Sequence, residues 1–546
     1  MFQFIQTRPR RFLALFTLLV FAVVTRGGFS ESDTHRRLQV THWMWSGAPQ
    51  VADADRDSIP RNPTPTRIAV APNFCDLQGV NGEVYAQFSI GQSLLMLPAD
   101  LVVAWLKGTL WSETPDFNWH DVFVNLTTFT IVAAVGATLS FELLVLLGFS
   151  TAAAVGAVTL LATASTYVLY MQDSTDNSQL YVLFVGGLVA LLKGRGEMRW
   201  NMLAAGACAG FGLLIRLPFL AETVALGIVA KYASDRARGA DWPSTIFSVT
   251  RTTATDLIWF VAPLLAAVGV DRAYQFYRFG EWTTTYMKQC AEVFARVGGF
   301  PANYPFGYPF LSGLLGPLID PQRSIFLFDP FLIVAIVLVA LAWAGMKAER
   351  RLVVATAVLC FVLLSVLYAG SWYWNGGIGN WGSRHHLAPV QLFLLVGFAL
   401  AIERYAASGV ALRAAIIAGG ALAFFAQAIA LPAPPMVEHA LALDGDPLRF
   451  MQAIRIRDLY YLATGQAEAI VANATDPFPR KLLMERYETL APHDFWLIRL
   501  AKLLGPPESW VLVGLWVALA LLAVGVGTYT IVRCVRREAE VGRSRA

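Results

Sequence analysis

The stretch IGQSLLMLPADLVVAWLKGTL, residues 90–110, decides how the whole chain is threaded. It is apolar enough to cross a bilayer, and if it crosses, every later connector changes side. Lys and Arg accumulate in the cytoplasmic connectors of membrane proteins, so their distribution chooses between the two threadings. Suppose 90–110 does not cross. Then KGRGEMR (193–199), KYASDRARGADWPSTIFSVTR (231–251), MKAERR (346–351), ERYAASGVALR (403–413) and the tail RCVRREAEVGRSRA (533–546) all lie in the cytoplasm. The connector QDSTDNSQ (172–179), with no Lys or Arg, lies outside. If 90–110 crosses, every one of these assignments inverts. The stretch therefore reads as a helix lying at, or dipping into, the outer surface. Pro98 and Asp100 in mid-run also favour that placement over a span.

The rest of the chain is built for a membrane. Its 546 residues are 56% hydrophobic and 15% charged, where a soluble domain has roughly 25% charged residues. The mean hydropathy is +0.52. A net charge of +4 reflects loop placement and is not a nucleic-acid footprint. Apolar runs occur near 12–24, 121–147, 150–170, 179–192, 200–218, 220–231, 254–270, 326–345, 352–369, 387–402, 414–431 and 510–532. The first follows Arg8, Arg10 and Arg11, which hold the N-terminus in the cytoplasm. Its flank, TRGGFSES, offers no small-x-small cleavage site, so it reads as a retained helix and not as a signal peptide.

The fold expected is an all-α polytopic membrane protein with about 12 transmembrane helices, interfacial helices and outer-face loops. Three parts are expected: a transmembrane core over 1–431, an extracytoplasmic segment over 432–509, and a last helix with a basic cytoplasmic tail over 510–546. The outer face carries 26–120, 271–325, 370–386 and 432–509.

Polar and aromatic residues gather on that face. Asp33 lies just beyond the first helix, where a carboxylate can serve as general base toward a hydroxyl. Ser30, Ser32 and Asp33 also suit the cap of a helix running through HRRLQVTHWMW. In GVNGEVYAQFSIGQSLLMLP (79–98), Tyr85 and Phe88 suit a membrane boundary. Arg323 follows a Pro/Gly/aromatic loop, where an arginine binds phosphate bidentately or snorkels to a headgroup.

The loop SWYWNGGIGNWGSRHHLAP (371–389) holds Trp372, Trp374 and Trp381, glycines at 376, 377, 379 and 382, the cation Arg384, and His385 and His386. The tryptophans suit a sugar face or an interfacial belt. The histidines suit hydrogen bonding to an anion. No metal site is expected there, because adjacent histidines point apart and no carboxylate is near in sequence. Within the helices, Arg216 falls at an outer end and Glu142 near an inner end.

In order and spacing these segments resemble the polytopic GT-C glycosyltransferases, which include protein O-mannosyltransferase and aminoarabinose-transferase relatives and many uncharacterised bacterial members. The resemblance rests on SESD (30–33), GQSLLMLP (91–98), the GLLG…PxRxxFLFxP segment of 313–330 and WNGGIGNWGSRHHLAP (374–389), and it covers most of residues 10–400. It implies a GT-C-like core that moves a sugar from a polyprenyl-phosphate donor to an extracytoplasmic glycan, lipid or protein acceptor, with inversion at the anomeric carbon. It implies Asp33 as the catalytic base, with Arg384, His385, Arg323, Arg216, Trp374 and Trp381 binding substrate. The family often has an Asp-Glu pair in the first outer loop. This chain has Asp33-Thr34, which leaves a metal requirement open, and no cofactor is expected. The bacterial members imply an inner membrane with the active face to the periplasm.

The rival readings are a lipid or solute transporter, which would carry midplane sites and internal repeats, and a non-catalytic scaffold. Cys75 and Cys290 both fall in outer segments, where a disulfide is permitted. Of the sequons at 125–127 and 473–475, only Asn473 reads as accessible.

Overall fold

The computed structural model describes residues 1–29, 32–51, 77–107, 119–172, 175–193, 198–239, 250–285, 305–376, 380–432, 436–472, 474–475 and 495–545, with 288 and 291. Cys75, Cys290 and Asn473 lie outside the described residues. The described chain is helical apart from one two-stranded antiparallel ribbon, Leu77–Gln78 with Val84–Tyr85.

In chain order the helices are α1 (Phe2–Thr7), α2 (Pro9–Val24), α3 (Ser32–Ser46), α4 (Gly91–Lys107), α5 (Trp119–Leu146), α6 (Thr151–Thr163), α7 (Thr166–Gln172), α8 (Asp176–Leu192), α9 (Met198–Ile215), α10 (Leu217–Ala237) and α11 (Arg251–Phe279). They continue with α12 (Phe310–Ile319), α13 (Phe331–Gly345), α14 (Ala348–Ala369), α15 (Arg384–Arg404), α16 (Val410–Ala430), α17 (Met436–Leu443), α18 (Met451–Ala463), α19 (Trp496–Leu504) and α20 (Glu508–Arg545).

Every apolar run of the sequence coincides with a helix, yet among the described residues only eight are long and apolar enough to cross a membrane. A ninth is the pair α6 and α7, bent by 58° at its break. The expected count of twelve is therefore not reached. The shortfall lies in α2, α8 and α13. At 16 and 17 residues, α2 and α8 are about 25 Å long at 1.5 Å per residue, short of a hydrocarbon layer of about 30 Å.

Burial separates centre from rim. In α15 nearly every residue of the apolar window is buried, and it is the axis of the bundle, packed by α6, α8, α13 and α14. By contrast, α11 and α20 bury little, and their exposed Ile, Leu and Val side chains form the apolar rim. The largest core runs from Phe12 in α2 through Tyr181 in α8 to Phe398 in α15.

The bundle has two chemically distinct ends. One joins the start of α2 to the end of α5 by Arg10–Glu142 and the end of α10 to the start of α14 by Arg236–Glu349. It also joins the start of α14 to the end of α15 by Arg350–Glu403. These pairs join described residues of the basic connectors 231–251, 346–351 and 403–413, so by the positive-inside rule this is termed the inner end.

At the other end lies α4. Gly91 abuts the last turn of α9, where a Cβ would sit 2.5 Å from the Leu214 carbonyl carbon. Half-way along, the buried Asp100 accepts hydrogen bonds from Trp45 of α3 at 2.6 Å and His120 of α5 at 2.6 Å. First turn and midpoint both touch outer-end elements, so α4 lies along that end and does not run through the bundle. Leu101, Val102 and Trp105 face outward from it. Asp100 explains how an acid sits in an apolar run: hydrogen bonds from His120 and Trp45 hold its carboxyl below the usual range against the opposing cost of burial. Tyr85 and Phe88, read as boundary residues, are buried in the protein instead.

The described part of 432–509 builds its own small core from Ala440, Leu441, Ile454, Ile470 and Val471, tied by the buried pair Glu438–Arg455 at 2.6 Å.

Candidate active site at the outer end

Four elements converge at the outer ends of the central helices. Arg216 sits where α9 stops, in extended backbone before Pro218. Its guanidinium donates to Asn177 Oδ1 at 2.9 Å, to Asp176 Oδ1 at 3.4 Å and to His385 Nδ1 at 3.0 Å. Asp176 and Asn177 open α8, where a carboxylate also suits the positive end of the helix. The other oxygen of Asp176 accepts from Arg37 of α3 at 3.0 Å. One carboxylate therefore ties the first outer loop to α8 and α9.

His385 connects this group to the 371–386 loop. Its Nε2 lies 2.9 Å from the Tyr373 carbonyl, which can only accept, so Nε2 carries the hydrogen. Nδ1 is then the acceptor for Arg216, and the ring is neutral. That ring stacks on Tyr368 with centroids 3.9 Å apart and planes 7° apart. His386 points away, to Ser383 at 2.7 Å and Ser365 at 3.0 Å. Adjacent histidines do diverge here.

Arg384 is held differently. It makes one long hydrogen bond, to Asn380 Oδ1 at 3.4 Å, and its buried Nε has no partner among the described residues. Its stem crosses Gly376, where φ is +82° and a Cβ would lie 2.8 Å from Arg384 Cγ. Glycine is required there by both the backbone and the neighbour.

Other buried polar atoms in the same group also lack partners among the described residues: Tyr368 Oη, Asn177 Nδ2 and Glu222 Oε2. The charges of Arg216, Arg384, Asp176 and Glu222 all act on Tyr368, so these groups share one electrostatic environment. Three guanidiniums, of Arg37, Arg216 and Arg384, face two buried carboxylates, of Asp176 and Glu222. One positive charge remains even with both acids ionised. Buried polar atoms in native proteins nearly always have partners, so these atoms are candidates for contact with a ligand.

Asp33 lies in the first turn of α3, half-buried, one turn before Arg37. It makes no ion pair with a described side chain. The helix begins at Ser32, so Ser32 and Asp33 lie within its first turn, and Ser30 lies outside the described residues.

The remaining residues singled out in the sequence are engaged by protein. Arg323 is fully buried, donates to the carbonyls of Asn380 and Gly382, and contacts His439 of α17. Burial lowers its pKa to about 10. It braces the 380–382 backbone. Trp374 fills the space above Gly316, where a Cβ would sit 2.1 Å from the ring. Trp381 packs edge-on to Phe328 at 4.9 Å with Arg455 over it at 5.6 Å. A sugar platform requires an open ring face, and both rings are covered, whereas Trp372 is exposed.

Asp176, Asn177, Tyr368, Glu222 and Arg37 were not singled out from the sequence. Glu222 carried a readable signal, a carboxylate inside an apolar run. Asp176 and Asn177 carried a weaker one, as the polar start of a buried helix.

Among the described residues, the broken helix pair, where a transporter would hold its cargo, is α6 and α7. Its break is filled. Asp329 accepts from the Thr166 amide at 2.8 Å and its hydroxyl at 2.6 Å. The void beside them is about 10 Å³, room for one water. No group of three His, Cys, Asp or Glu among the described residues is placed to hold a metal.

No family model matches the chain, and no curated protein matches it. Among solved structures, the crystal structure of ArnT from Cupriavidus metallidurans bound to undecaprenyl phosphate aligns with 99% of this chain and 78% of its own. The identity is 13% and the TM-score 0.43.

Proposed function

We propose that this chain is a GT-C-type membrane glycosyltransferase. It takes a sugar from a polyprenyl-phosphate donor at the outer face of a bacterial inner membrane and passes it to an extracytoplasmic acceptor. The observation that carries the reading is the set of orphaned buried donors, Arg384 Nε, Tyr368 Oη and Asn177 Nδ2, beside an excess of positive charge. Such a set fits a phosphate brought in on a lipid, because each oxygen can accept hydrogen bonds the protein leaves unmade. The motif resemblance supplies the reaction class.

In the reaction, an acceptor hydroxyl attacks the anomeric carbon while the bond from that carbon to the phosphate oxygen breaks. The electron pair leaves with the phosphate, whose developing charge faces Arg384 and Arg216. The hydroxyl proton passes to Asp33, and attack opposite the leaving group inverts the carbon. Neutral His385 holds Arg216 in place without spending its charge.

The test is binding and turnover in the same purified protein. Polyprenyl phosphate without sugar should bind wild type, and Arg384→Gln should weaken it. Asp33→Asn should bind normally and transfer nothing. Full transfer by Asp33→Asn removes that residue from the mechanism, and unchanged lipid binding by Arg384→Gln removes the phosphate assignment.

A further inference from the structure

The inner end of α20 carries a second group of arginines, which the outer site does not use. Here the helix runs on as RCVRREAEVGRSR to Arg545. One of its faces is committed to protein. Thr530 and Cys534 are fully buried, and Ser150 of the α6 cap donates to Glu538. On the neighbouring face Arg533 lies over the Tyr529 ring, 5.5 Å from its centroid. Arg533, Arg536, Arg537, Glu540 and Val541 recur at one helical spacing. They line a cavity of about 320 Å³ that Gln6 of α1 closes from the other side. Neither Arg533 nor Arg536 is paired with a described carboxylate.

The α1 helix that contributes Gln6 to this cavity also carries apolar side chains. The α1 region begins MFQFIQ; Ile5 is anchored in the core, while Met1 and Phe4 are exposed. Arg8, Arg10 and Arg11 follow at once. Three cations and one carboxylate thus line a cavity beside an exposed apolar stub. All of it lies where the helices leave the bilayer on the basic side. A soluble anion satisfies the arginines but makes no use of the stub. A phosphate carrying acyl chains satisfies both.

We infer that this cavity binds the headgroup of an anionic phospholipid of the inner leaflet. Arg533 and Arg536 take the phosphate, and Phe4 and Met1 lie along the acyl chains. Glu540 opposes the headgroup and moderates its affinity. The site ties α1 to α20 through lipid.

The experiment uses the full-length protein in mild detergent, with phosphatidylglycerol or phosphatidylcholine added and bound lipid counted by native mass spectrometry. Phosphatidylglycerol should be retained in preference. The double variant Arg533→Gln/Arg536→Gln should weaken that retention by roughly thirtyfold, at roughly fivefold per arginine near an anionic headgroup. Glu540→Gln should strengthen it, a direction that loss of folding cannot imitate. Equal retention of the two lipids, or unaltered retention by the double variant, overturns the inference. So does displacement of the lipid by millimolar inorganic phosphate, because the apolar stub would then contribute nothing.

Discussion

The two ends of this bundle handle charge in opposite ways. At the inner end most ion pairs sit partly in water, Lys231–Asp235 at 13% and 4% exposure excepted: Arg236 and Glu349 meet at 2.8 Å with side chains 56% and 19% exposed. Such pairs are screened and individually weak. At the outer end, Arg37 and Asp176 meet at 3.0 Å with 7% and 8% exposure. Around them lie groups that find no hydrogen-bond partner among the described residues. An end built only to hold helices together would resemble the first. The second accepts a desolvation cost without the compensation that folding alone would select, which is the pattern of a site completed by its ligand.

The contrast breaks first at Asp33. If the outer end is catalytic, Asp33→Asn should lower the transfer rate by roughly a hundredfold to ten-thousandfold, the range for losing a positioned general base. Thermal stability should hold, because the side chain is half-exposed and has no ion pair with a described residue. The check is single-turnover transfer alongside a melting curve. Loss of both together would make Asp33 a structural cap.

Asp176 should show the reverse pattern. Two guanidiniums converge on it in a buried setting, so Asp176→Asn leaves both without their counter-charge. Stability should fall by about 3–5 kcal/mol, as when one partner of a buried pair is removed. A denaturation midpoint indistinguishable from wild type would mean that α3 and α8 are held together elsewhere. These two aspartates were not equally legible in the sequence. Asp33 stood out because it follows an apolar run and sits in a motif. Asp176 lay in a connector noticed only for lacking Lys and Arg, and its partners are 139 and 40 residues away.

The same division runs through the rest of the chain. The placement of residues 90–110 was legible because a charge rule reads every connector at once. Helix positions were legible because apolar runs are local. Span number was not, since the lengths of α2, α8 and α13 depend on how neighbours take over at their ends. The ring faces of Trp374 and Trp381 were not legible either. Composition shows an aromatic loop, but only packing shows that Gly316 and Phe328 cover it. Arg323 and Arg384 looked alike as loop cations, and the fold turned one into a brace and left the other with an open donor.

That last difference gives the third test. Arg384→Gln should weaken binding of polyprenyl phosphate by roughly tenfold to a hundredfold, the value of one charge-assisted contact. Arg323→Gln should act mainly on stability, because its donors support backbone carbonyls. Lipid titration and melting of the two variants side by side separate the roles. Equal loss of lipid binding in both would mean the brace and the site are one unit.

Tyr368→Phe is a finer probe of the same end. The hydroxyl is buried and has no partner among the described residues, so its removal deletes a donor without deleting a hydrogen bond seen among them. The stacked ring against His385 is kept. Donor affinity should fall by roughly two- to tenfold while stability holds or rises. A fall in stability instead would mean the hydroxyl has a structural partner, such as an ordered water, and it would leave the group of orphaned donors.

The smallest effect belongs to the inner end and completes the comparison. Arg236→Gln removes an exposed partner of Glu349. Its cost should lie within about 1 kcal/mol and shrink further as salt is raised. Turnover should not change. Measured against Asp176→Asn in the same detergent and buffer, the ratio of the two costs reports how differently the protein treats charge at its two ends. A cost for Arg236→Gln as large as that for Asp176→Asn would show that partial exposure in the bundle does not imply screening, and the unpartnered outer groups would then lose their special standing.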